Sequence, residues 1–373
     1  MSRIMHVTQC LGGVETYLRA FHAHGGFDDF DRRVLVVPEP CLLAEEWRAA
    51  GGVVEVVPMQ RAVGPLADLR ALLRLQQLIR LHRPQVLHLH SSKAGALGRL
   101  AALLRRLAGQ RVAVVYTPHA YYYLARHGMR RLLFRGIERG LAGMTDLLMA
   151  TSASEAARSL AEVGYPARKV RAVSNGVSLA ARTATDATGQ DGLEVIFVGR
   201  ICHQKNIELL ARIIASFAAA DGVRFRIVGA GHYPQDRQAL LALLAGAGAD
   251  PGLLDIVPWL PHAQVQALFA AADISLVTSR YESFGYVAAE AGAAGLPVVA
   301  ANVDGLKDVV ADGVSGFLLD GQDCAGFVAR IRQLAGDRDL RRRMGEAGRR
   351  RVALHFDVAR NALTMRDTYA GLR

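Results

Sequence analysis

Short, continuous apolar runs recur along the whole chain, separated by longer stretches in which apolar residues stand three or four positions apart. The second spacing is the period of an amphipathic helix, whereas a short unbroken apolar run is typical of a fully buried strand. Strands that alternate with helices in this way build parallel sheets covered on both faces, so the pattern predicts an α/β fold. The predicted strands are residues 3–8, 33–37, 53–57, 86–90, 112–117, 145–150, 169–174, 193–198, 224–228, 254–257, 274–278 and 298–300.

The length of the chain predicts two domains. The 373 residues exceed one ordinary core and fit two domains of roughly 150 to 200 residues each. Residues 178–192, SLAARTATDATGQDG, are small and polar and contain glycine, which is typical of a linker. We therefore expect an N-terminal domain at 1–177, a C-terminal domain at 193–355 and a last helix at 356–373.

The stretch from residue 273 to 300 carries the strongest candidate chemistry. A predicted strand is followed by a polar turn and a helix, with Glu282 just before the helix and Glu290 in its second turn. A helix start favours anions, because its first N–H groups lack partners and the helix dipole is positive there. We expect the backbone of Ser283, Phe284 and Gly285 to bind phosphate between the two carboxylates, a layout that suits a nucleotide sugar. Two glutamates eight positions apart also occur without any ligand.

Two cations share one loop near the start of the second predicted domain. Gly199 ends the strand at 193–198 and allows close approach, and Arg200 and Lys205 follow before the next helix. Arginine can hold phosphate oxygens in a bidentate fork, and lysine acts as a point charge. We therefore expect this loop to bind phosphate, the alternative being two ordinary surface cations.

Polar residues also follow strands of the first predicted domain. Gly12 and Gly13 form a turn into a helix, where backbone can approach a ligand or merely turn. His90, Ser91 and Lys93 come at the end of a strand, where open α/β sheets bind their ligands. We assign these last three residues to an acceptor side.

Three consecutive tyrosines begin at Tyr121. Their aromatic faces would suit a groove for sugar or lipid, and a half-buried loop is the alternative. We place Tyr121 with the acceptor-side residues.

The segment from Glu282 to Glu290, with Ser283-Phe284-Gly285 inside it, resembles the E-x7-E signature of the retaining glycosyltransferases of family 4. Residues 198–200 and 205–206 resemble the basic phosphate-binding segment of that family, and the matches run in order across most of the chain. The resemblance implies a GT-B fold, in which two Rossmann-like domains with parallel sheets face a central cleft. It also implies that the first domain holds mainly the acceptor, the second mainly the donor, and that the last helix crosses back to the first domain.

The resemblance further implies a role for each matching residue. Arg200 and Lys205 would bind the donor diphosphate, Glu282 the sugar hydroxyls and Glu290 the ribose. His119, at the end of a strand, would lie close to the donor sugar. The remaining donor-side positions implied by the family are Gly12, Gly13, Gly199, Gly229, Trp259 and Leu260, together with the backbone at Ser283, Phe284 and Gly285.

The segment 302–308 departs from the family pattern. Relatives tend to carry two glycines and a glutamate here, whereas this chain has Asp304 in place of one glycine near the sugar pocket. The departure leaves the donor sugar open. We expect a hexose from a UDP-sugar, favoured over GDP-mannose.

The whole net positive charge of the chain belongs to its first half. Residues 1–178 contain 24 Lys and Arg against 13 Asp and Glu, whereas residues 179–373 contain 21 of each. The segment from Arg126 to Leu141 alternates arginines with Leu132, Leu133, Phe134 and Ile137, the pattern of a cationic amphipathic helix. We therefore expect binding to an anionic membrane surface.

The expected location is cytoplasmic and peripheral, on the inner face of the cytoplasmic membrane. The start of the chain lacks a signal peptide, and no apolar run reaches about 18 residues. The HSSKAG and TPHAYYY segments are similar to bacterial polysaccharide-assembly transferases, including those for capsule, exopolysaccharide and lipopolysaccharide. That similarity implies a saccharide acceptor, linked to polyprenyl diphosphate.

We expect neither a metal nor a bound cofactor; the nucleotide sugar is a co-substrate. The four cysteines lack ligand spacing, which favours free thiols in a reducing compartment. No D-x-D motif stands at a strand end, since Asp29 and Asp31 fall between the first helix and the next strand. Two cations and a helix dipole can replace a metal at a leaving diphosphate.

Three other functions remain open to different degrees. A nucleotide-sugar epimerase of the GT-B fold is the closest alternative. A nicotinamide-dependent oxidoreductase requires G-x-G-x-x-G with an acidic partner, and the chain has only a lone G-x-G at Gly229. A nucleic-acid-binding protein would explain the charge, but the neutral second half and the lack of a basic-aromatic motif argue against it.

Overall fold

The computed structural model describes residues 2–9, 12–60, 62–179, 192–230 and 234–372. It divides into two compact units: unit 1 comprises Met1–Gly176 and Val358–Arg373, and unit 2 comprises Val177–Asp357. Most of the predicted linker, residues 180–191, lies outside the described residues.

Unit 1 is built on a parallel sheet that has seven strands in the described ranges, in the order β3-β2-β1-β4-β5-β6-β7. The strands are β1 (Arg3–Thr8), β2 (Arg32–Val37), β3 (Val53–Val56), β4 (Val86–His90), β5 (Ala113–Thr117), β6 (Leu147–Ala150) and β7 (Val170–Ala172). The helices are α1 (Gly13–Ala23), α2 (Leu42–Ala49), α3 (Pro65–His82), α4 (Ser92–Leu107), α5 (Gly128–Ala142), α6 (Ala153–Arg158) and, from the end of the chain, α14 (Val358–Ala370).

The order of unit 1 reverses beside β1, which pairs with β2 on one side and β4 on the other. Ligands of open α/β sheets bind beyond the carboxyl ends of the strands at such a reversal. His6 of β1 pairs with His88 of β4, and Thr8 pairs with His90. Side chains at the ends of β1 and β4 therefore converge at that position.

Helix α14 packs with unit 1, although it is more than 180 residues away in sequence from the other unit 1 helices. Its Tyr369 is 1% exposed, and the hydroxyl lies 2.6 Å from His88 Nδ1. Asn361 donates from Nδ2 to the carbonyl of Asn175 at 3.1 Å. The end of the chain is thus part of the unit 1 core.

A buried ion pair joins two helices of unit 1. Arg99 of α4 and Glu138 of α5 lie 2.8 Å apart, and their side chains are 0% and 6% exposed. Tyr116 donates to the other carboxylate oxygen of Glu138 at 3.0 Å, and Arg99 also donates to Tyr165 at 3.2 Å. Each charge is therefore paired and hydrogen-bonded, as a buried charge requires.

Unit 2 is also built on a parallel sheet, with six strands in the described ranges, in the order β10-β9-β8-β11-β12-β13. The strands are β8 (Leu193–Val198), β9 (Val223–Val228), β10 (Leu254–Val257), β11 (Ile274–Val277), β12 (Val298–Ala301) and β13 (Gly316–Leu319). The helices are α7 (Ile207–Ile214), α8 (Pro234–Ala247), α9 (His262–Ala271), α10 (Tyr286–Ala294), α11 (Asp304–Val309), α12 (Cys324–Gly336) and α13 (Arg338–His355).

Both sheets agree with the α/β fold that the apolar runs predict, and the strand order reverses beside β8 as it does beside β1. The carboxyl ends of β8 and β11 are thus neighbours, and the loops after them carry the predicted phosphate-binding residues. No helix in the described ranges combines the length and low charge needed to cross a bilayer.

Candidate functional site

Two loops of unit 2 are hydrogen-bonded to each other beyond β8 and β11. The Arg280 N–H donates to the Gln204 carbonyl at 2.8 Å, and Gln204 Nε2 donates to the Tyr281 carbonyl at 3.1 Å. The Thr278 hydroxyl donates to the Lys205 carbonyl at 2.7 Å. These contacts hold the loop after β8 (residues 199–206, the basic loop) against the loop after β11 that carries Glu282 (residues 278–285, the acidic loop).

The central contact between these loops is an ion pair. Lys205 Nζ lies 2.6 Å from Glu282 Oε1, and the two side chains are only 16% and 12% exposed. The Ser279 hydroxyl donates to the same oxygen at 2.9 Å. Because an ammonium group has three N–H donors, Lys205 has two left for a ligand. Within the described part of the chain, Oε2 of Glu282 has no partner and is also left for one.

Arg200 lies in the same basic loop and is half-buried. It forms no ion pair with any described residue. Its guanidinium is therefore available to pair with an anionic ligand.

The glycines at the ends of β8 and β9 permit close packing of the protein on itself. Gly229 has a φ of 110°, and a Cβ there would lie 2.4 Å from the carbonyl oxygen of Gly199. A Cβ on Gly199 would lie 3.1 Å from Cε of Lys205. The sequence predicts that Gly199 lets backbone approach a ligand, and the resemblance places Gly229 on the donor side. In the structure the close approach of the two strand ends requires a glycine at 229, and Lys205 packs tightly over Gly199.

Helix α10 begins at the predicted anion site. Gly285, its N-cap, has a φ of 94°, a conformation that favours glycine. Phe284 is 1% exposed and packs edge-on against Phe356 at 5.4 Å, so only its backbone is available to a ligand. A Cβ on Gly305 would lie 2.4 Å from Phe284 Cα, and the Gly305 N–H donates to the Glu282 carbonyl at 3.1 Å. The start of α11 therefore packs against the loop that carries Glu282 and Phe284 and holds it in place.

Glu290 of α10 is 7% exposed and has one hydrogen-bond partner from a neighbouring helix. Its Oε1 lies 2.9 Å from Nε2 of His262, the first residue of α9. The sequence does not single out His262, although it follows Trp259 and Leu260, which the resemblance assigns to the donor side. Trp259 is 52% exposed and Leu260 is half-buried.

Three histidines of unit 1 form a hydrogen-bonded chain. His6 Nδ1 lies 3.1 Å from His90 Nε2, and His90 Nδ1 lies 3.1 Å from His119 Nε2. Burial lowers the pKa of His6 and of His119 to about 3, and burial lowers the pKa of His90 well below its usual value. All three rings are therefore neutral at pH 7.

His88 lies beside this chain and has its own partners. Its Nδ1 is 2.6 Å from the Tyr369 hydroxyl, and its Nε2 is 2.8 Å from Thr117 Oγ1. The nitrogens of His6, His88 and His90 lie within 4.8 Å of one another, so these residues could also hold a metal ion. A zinc ion prefers neutral imidazole ligands such as these.

His119 stands in a strained turn. Both His119 and Ala120 have positive φ values, 51° and 72°, which residues other than glycine rarely adopt. Glu155 is 3% exposed and accepts the N–H of Ala120 at 2.9 Å and that of Thr151 at 2.8 Å. Such strain persists only where surrounding contacts hold it, and it concentrates at functional sites. The sequence singles out neither Glu155 nor His6, since nothing local marks their long-range contacts.

The remaining acceptor-side residues lie in different environments. Ser91 is 7% exposed with a φ of 76° just before α4, and Lys93 Nζ forms an ion pair with Asp68 at 2.7 Å. Tyr121 is 1% exposed and its hydroxyl bonds Ser159 at 2.8 Å, so it belongs to the core and does not line a groove. A Cβ on Gly12 or on Gly13 would meet nothing within 4 Å, and the Gly12 φ is 84°.

Sequence comparison matches the two halves of the chain to two family models. Residues 11–181 match "Glycosyltransferase Family 4", and residues 186–351 match "Glycosyl transferases group 1". The two matches together cover most of the chain and meet at the predicted linker.

Individual relatives carry related names. A D-inositol 3-phosphate glycosyltransferase of Thermobispora bispora is 32% identical over 322 residues, which cover 81% of this chain and 74% of that protein. Another of the same name, from Geodermatophilus obscurus, is 36% identical over 250 residues, which span 62% of this chain and only 54% of that protein.

Among solved structures, the Anabaena protein HepE in complex with UDP-glucose is similar over the whole length of both chains. The TM-score is 0.80 and the sequence identity 19%, so this likeness concerns the fold alone.

Proposed function

The chain belongs to the glycosyltransferase family of these two models and has the GT-B fold, and on that premise we propose that it moves a hexose from a nucleotide-diphosphate sugar to a saccharide acceptor. The observation that carries the proposal is the Lys205–Glu282 pair beside the start of α10. It offers N–H donors to a diphosphate and a carboxylate oxygen to a sugar hydroxyl in one place.

The proposed reaction retains the configuration of the sugar. The bond between the anomeric carbon and the diphosphate oxygen breaks, and the acceptor oxygen bonds to that carbon on the same face. The acceptor proton passes to an oxygen of the leaving diphosphate, so no protein nucleophile is required. Negative charge grows on the diphosphate as the bond breaks, and groups that stabilise this charge accelerate the reaction.

Unit 2 supplies such groups. Lys205 has two N–H donors beyond the one directed at Glu282, and Arg200 has an unpaired guanidinium with respect to the described residues. The positive end of the α10 dipole adds to them. Glu282 Oε2 would accept from a sugar hydroxyl, and Glu290, held by His262, would accept from the ribose.

With these charges present, we propose that neither a metal nor a bound cofactor is required. Transfer in the presence of excess chelator should equal transfer without it. Loss of transfer that is restored by a divalent cation would contradict the proposal.

UDP-glucose is the first donor to test, because HepE binds it in the same fold. Purified protein would be incubated with UDP- and GDP-sugars and a panel of acceptors, including polyprenyl-diphosphate saccharides and D-inositol 3-phosphate. Nucleotide release that requires an acceptor, with a retained anomeric centre in the product by NMR, is the expected result. Conversion of the donor sugar to an isomer without acceptor would instead identify an epimerase; the names of the relatives favour transfer.

Matched variants make the assay specific for this site. Glu282→Gln removes the negative charge that pairs with Lys205 and should abolish most transfer, whereas Glu346→Gln, on α13, should leave transfer intact. Full transfer by Glu282→Gln would contradict the assignment.

We propose that the acceptor is linked to polyprenyl diphosphate and that unit 1 binds the inner face of the cytoplasmic membrane, in the assembly of a cell-surface polysaccharide. Helix α5 exposes Met129, Leu132, Leu133 and Ile137, with exposed fractions of 80%, 50%, 60% and 43%. These residues recur at helical spacing beside arginines, the arrangement of a helix that lies in an anionic interface.

Flotation with anionic vesicles at low salt tests this membrane contact. Wild type and Leu354→Glu, an exposed leucine of unit 2, should float, whereas Leu132→Glu/Leu133→Glu should not. Equal flotation of all three proteins, or flotation of none, would remove the membrane part of the proposal while leaving the transfer reaction untouched.

A further inference from the structure

The hydrogens in the His6–His90–His119 chain must all point one way. The rings of His6 and His90 are fully buried, where an unpaired charge is costly, and each contact between two ring nitrogens requires one N–H donor and one bare nitrogen acceptor. His90 contacts a histidine through each of its nitrogens, at 3.1 Å in both cases. It therefore donates to one neighbour and accepts from the other, which leaves two possible directions for the whole chain.

The buried end of the chain selects the direction. Nε2 of His6 is buried and has no hydrogen-bond partner among the described residues. If the chain ran from His119 toward His6, this atom would carry an orphan N–H in the core, and such groups are rare in proteins. The opposite direction leaves only a bare nitrogen there. His6 Nδ1–H then donates to His90, and His90 Nδ1–H donates to Nε2 of His119.

His88 does not disturb this direction, because its own hydrogen is fixed elsewhere. Thr117 donates its hydroxyl hydrogen to the Met149 carbonyl at 2.8 Å, so its oxygen must accept from His88 Nε2–H. Nδ1 of His88 then accepts from the Tyr369 hydroxyl. A metal bound by these histidines would have to replace hydrogen bonds that already occupy both nitrogens of His88 and of His90.

We propose that His6 and His90 are positioning residues that fix His119 as the Nδ1–H tautomer, so that it presents a hydrogen-bond donor to an oxygen of the substrate. Nδ1 is the ring nitrogen of His119 that has no partner in the described part of the chain. The strained turn at His119 and Ala120, held by Glu155, keeps the ring in place. That the oxygen belongs to a sugar hydroxyl or a phosphate rests on the proposed function.

His6→Phe tests the His6–His90–His119 chain with little risk to the fold. The ring of His6 lies between Phe27 at 4.4 Å and Trp47 at 5.6 Å, an aromatic site that a phenyl ring suits. The variant removes the donor to His90, so the hydrogen bond between His90 and His119 no longer has a fixed direction. His22→Phe is the matched control, because His22 packs on Trp47 at 4.6 Å but is outside the chain.

Ring-nitrogen NMR of protein labelled with 15N-histidine measures the tautomer directly, without substrate. The His119 signals are identified by their loss in His119→Ala. In wild type and His22→Phe, His119 should carry its hydrogen on Nδ1; in His6→Phe the Nε2–H form should appear. Wild type with the hydrogen on Nε2, or His6→Phe without any change of tautomer, would overturn the proposal even if transfer is confirmed.

Kinetics then connect the tautomer to the reaction. His6→Phe should lower kcat/KM by about three- to tenfold, the worth of one hydrogen bond, and should have no further effect in a His119→Ala background. An equal loss in that background would mean that His6 acts only on the fold and would overturn the positioning role. One equivalent of zinc in protein purified without chelator, lost in His6→Phe, would overturn it in favour of a metal site. Absence of any transfer activity would refute the proposed function, and the NMR result alone would then decide whether His6 and His90 fix the tautomer of His119.

Discussion

Replacement of Gly305 by alanine tests whether the start of α11 positions the acidic loop. Gly305 is buried, and its φ lies outside the range that only glycine favours, so alanine is permitted by the backbone itself. The obstacle is space: a Cβ would lie 2.4 Å from Phe284 Cα and 2.6 Å from Phe284 N and C. None of these atoms belongs to a side chain that could rotate away.

The size of the effect follows from this overlap. Ordinary contact begins at 3.4 Å, so α11 and the loop at Phe284 must separate by about 1 Å. Overpacking of this kind costs about 1–3 kcal/mol, which lowers Tm by roughly 2 to 12 °C for a domain of this size. The N–H of Gly305 also donates to the backbone carbonyl of Glu282, so the same movement shifts the backbone of Glu282 and the carboxylate that it carries. A displacement of about 1 Å at a reacting site costs on the order of 100-fold in rate.

Two measurements on Gly305→Ala separate these effects: Tm by differential scanning fluorimetry, with and without saturating UDP, and kcat/KM for transfer. We expect a modest fall in Tm, a smaller UDP-induced rise in Tm and a large fall in kcat/KM. Gly246→Ala is the control, because a Cβ at Gly246 on α8 meets nothing within 4 Å. If Gly305→Ala has the same Tm and kcat/KM as the wild type, the reasoning is refuted. A fall in Tm without a fall in kcat/KM would show that α11 stabilises the fold without positioning Glu282.

Three further predictions concern single contacts. Glu282→Gln should lower kcat by about 100- to 1000-fold while Tm changes little, because glutamine keeps an oxygen that accepts from Lys205 and Ser279 but loses the negative charge. Glu138→Leu should cost about 3–5 kcal/mol in urea unfolding by leaving Arg99 unpaired, and Arg99→Leu/Glu138→Leu should recover most of the loss. Acidification from pH 7 toward pH 5 should destabilise unit 1, because burial lowers the pKa of histidines such as His6 and the unfolded chain therefore binds more protons than the folded one. Each such histidine lowers the free energy of unfolding by up to about 1.4 kcal/mol per pH unit. In His6→Phe the free energy of unfolding should depend less steeply on pH.

Much of the fold can be predicted from the sequence, because buried parallel strands are continuous apolar runs. All twelve predicted runs coincide with strands of the two sheets, and the thirteenth described strand, at Gly316–Leu319, is the one without a prediction. Element ends are less accurate: the strand predicted at 169–174 spans only Val170–Ala172. It is the edge strand β7, and Ala172 lies opposite Ala150, the last residue of β6, so the length of the neighbouring strand and not the local sequence fixes that end.

The candidate site could be predicted only where chemistry is local in sequence. Lys205 and Glu282 are marked by their motifs, and the structure brings them together at 2.6 Å. The partners that hold the site, such as His262 and Glu155, come from other elements, so no spacing in the sequence reveals them. Tyr121 shows the converse error: three consecutive aromatic residues suggest a groove for sugar or lipid, but Tyr121 is buried and its hydroxyl is satisfied inside the core.

The groups that can balance charge in the proposed reaction lie in unit 2. The family resemblance places His119 of unit 1 close to the donor sugar, but burial lowers the pKa of His119 to about 3, so its ring is uncharged at neutral pH. A neutral imidazole can donate one hydrogen bond but cannot balance the growing charge of a diphosphate. In the proposed reaction, Arg200, Lys205 and the start of α10 therefore balance that charge. Transfer should therefore show no dependence on protonation of His119 between pH 6 and 8, and a rate that follows an ionisation of His119 in that interval would contradict this division.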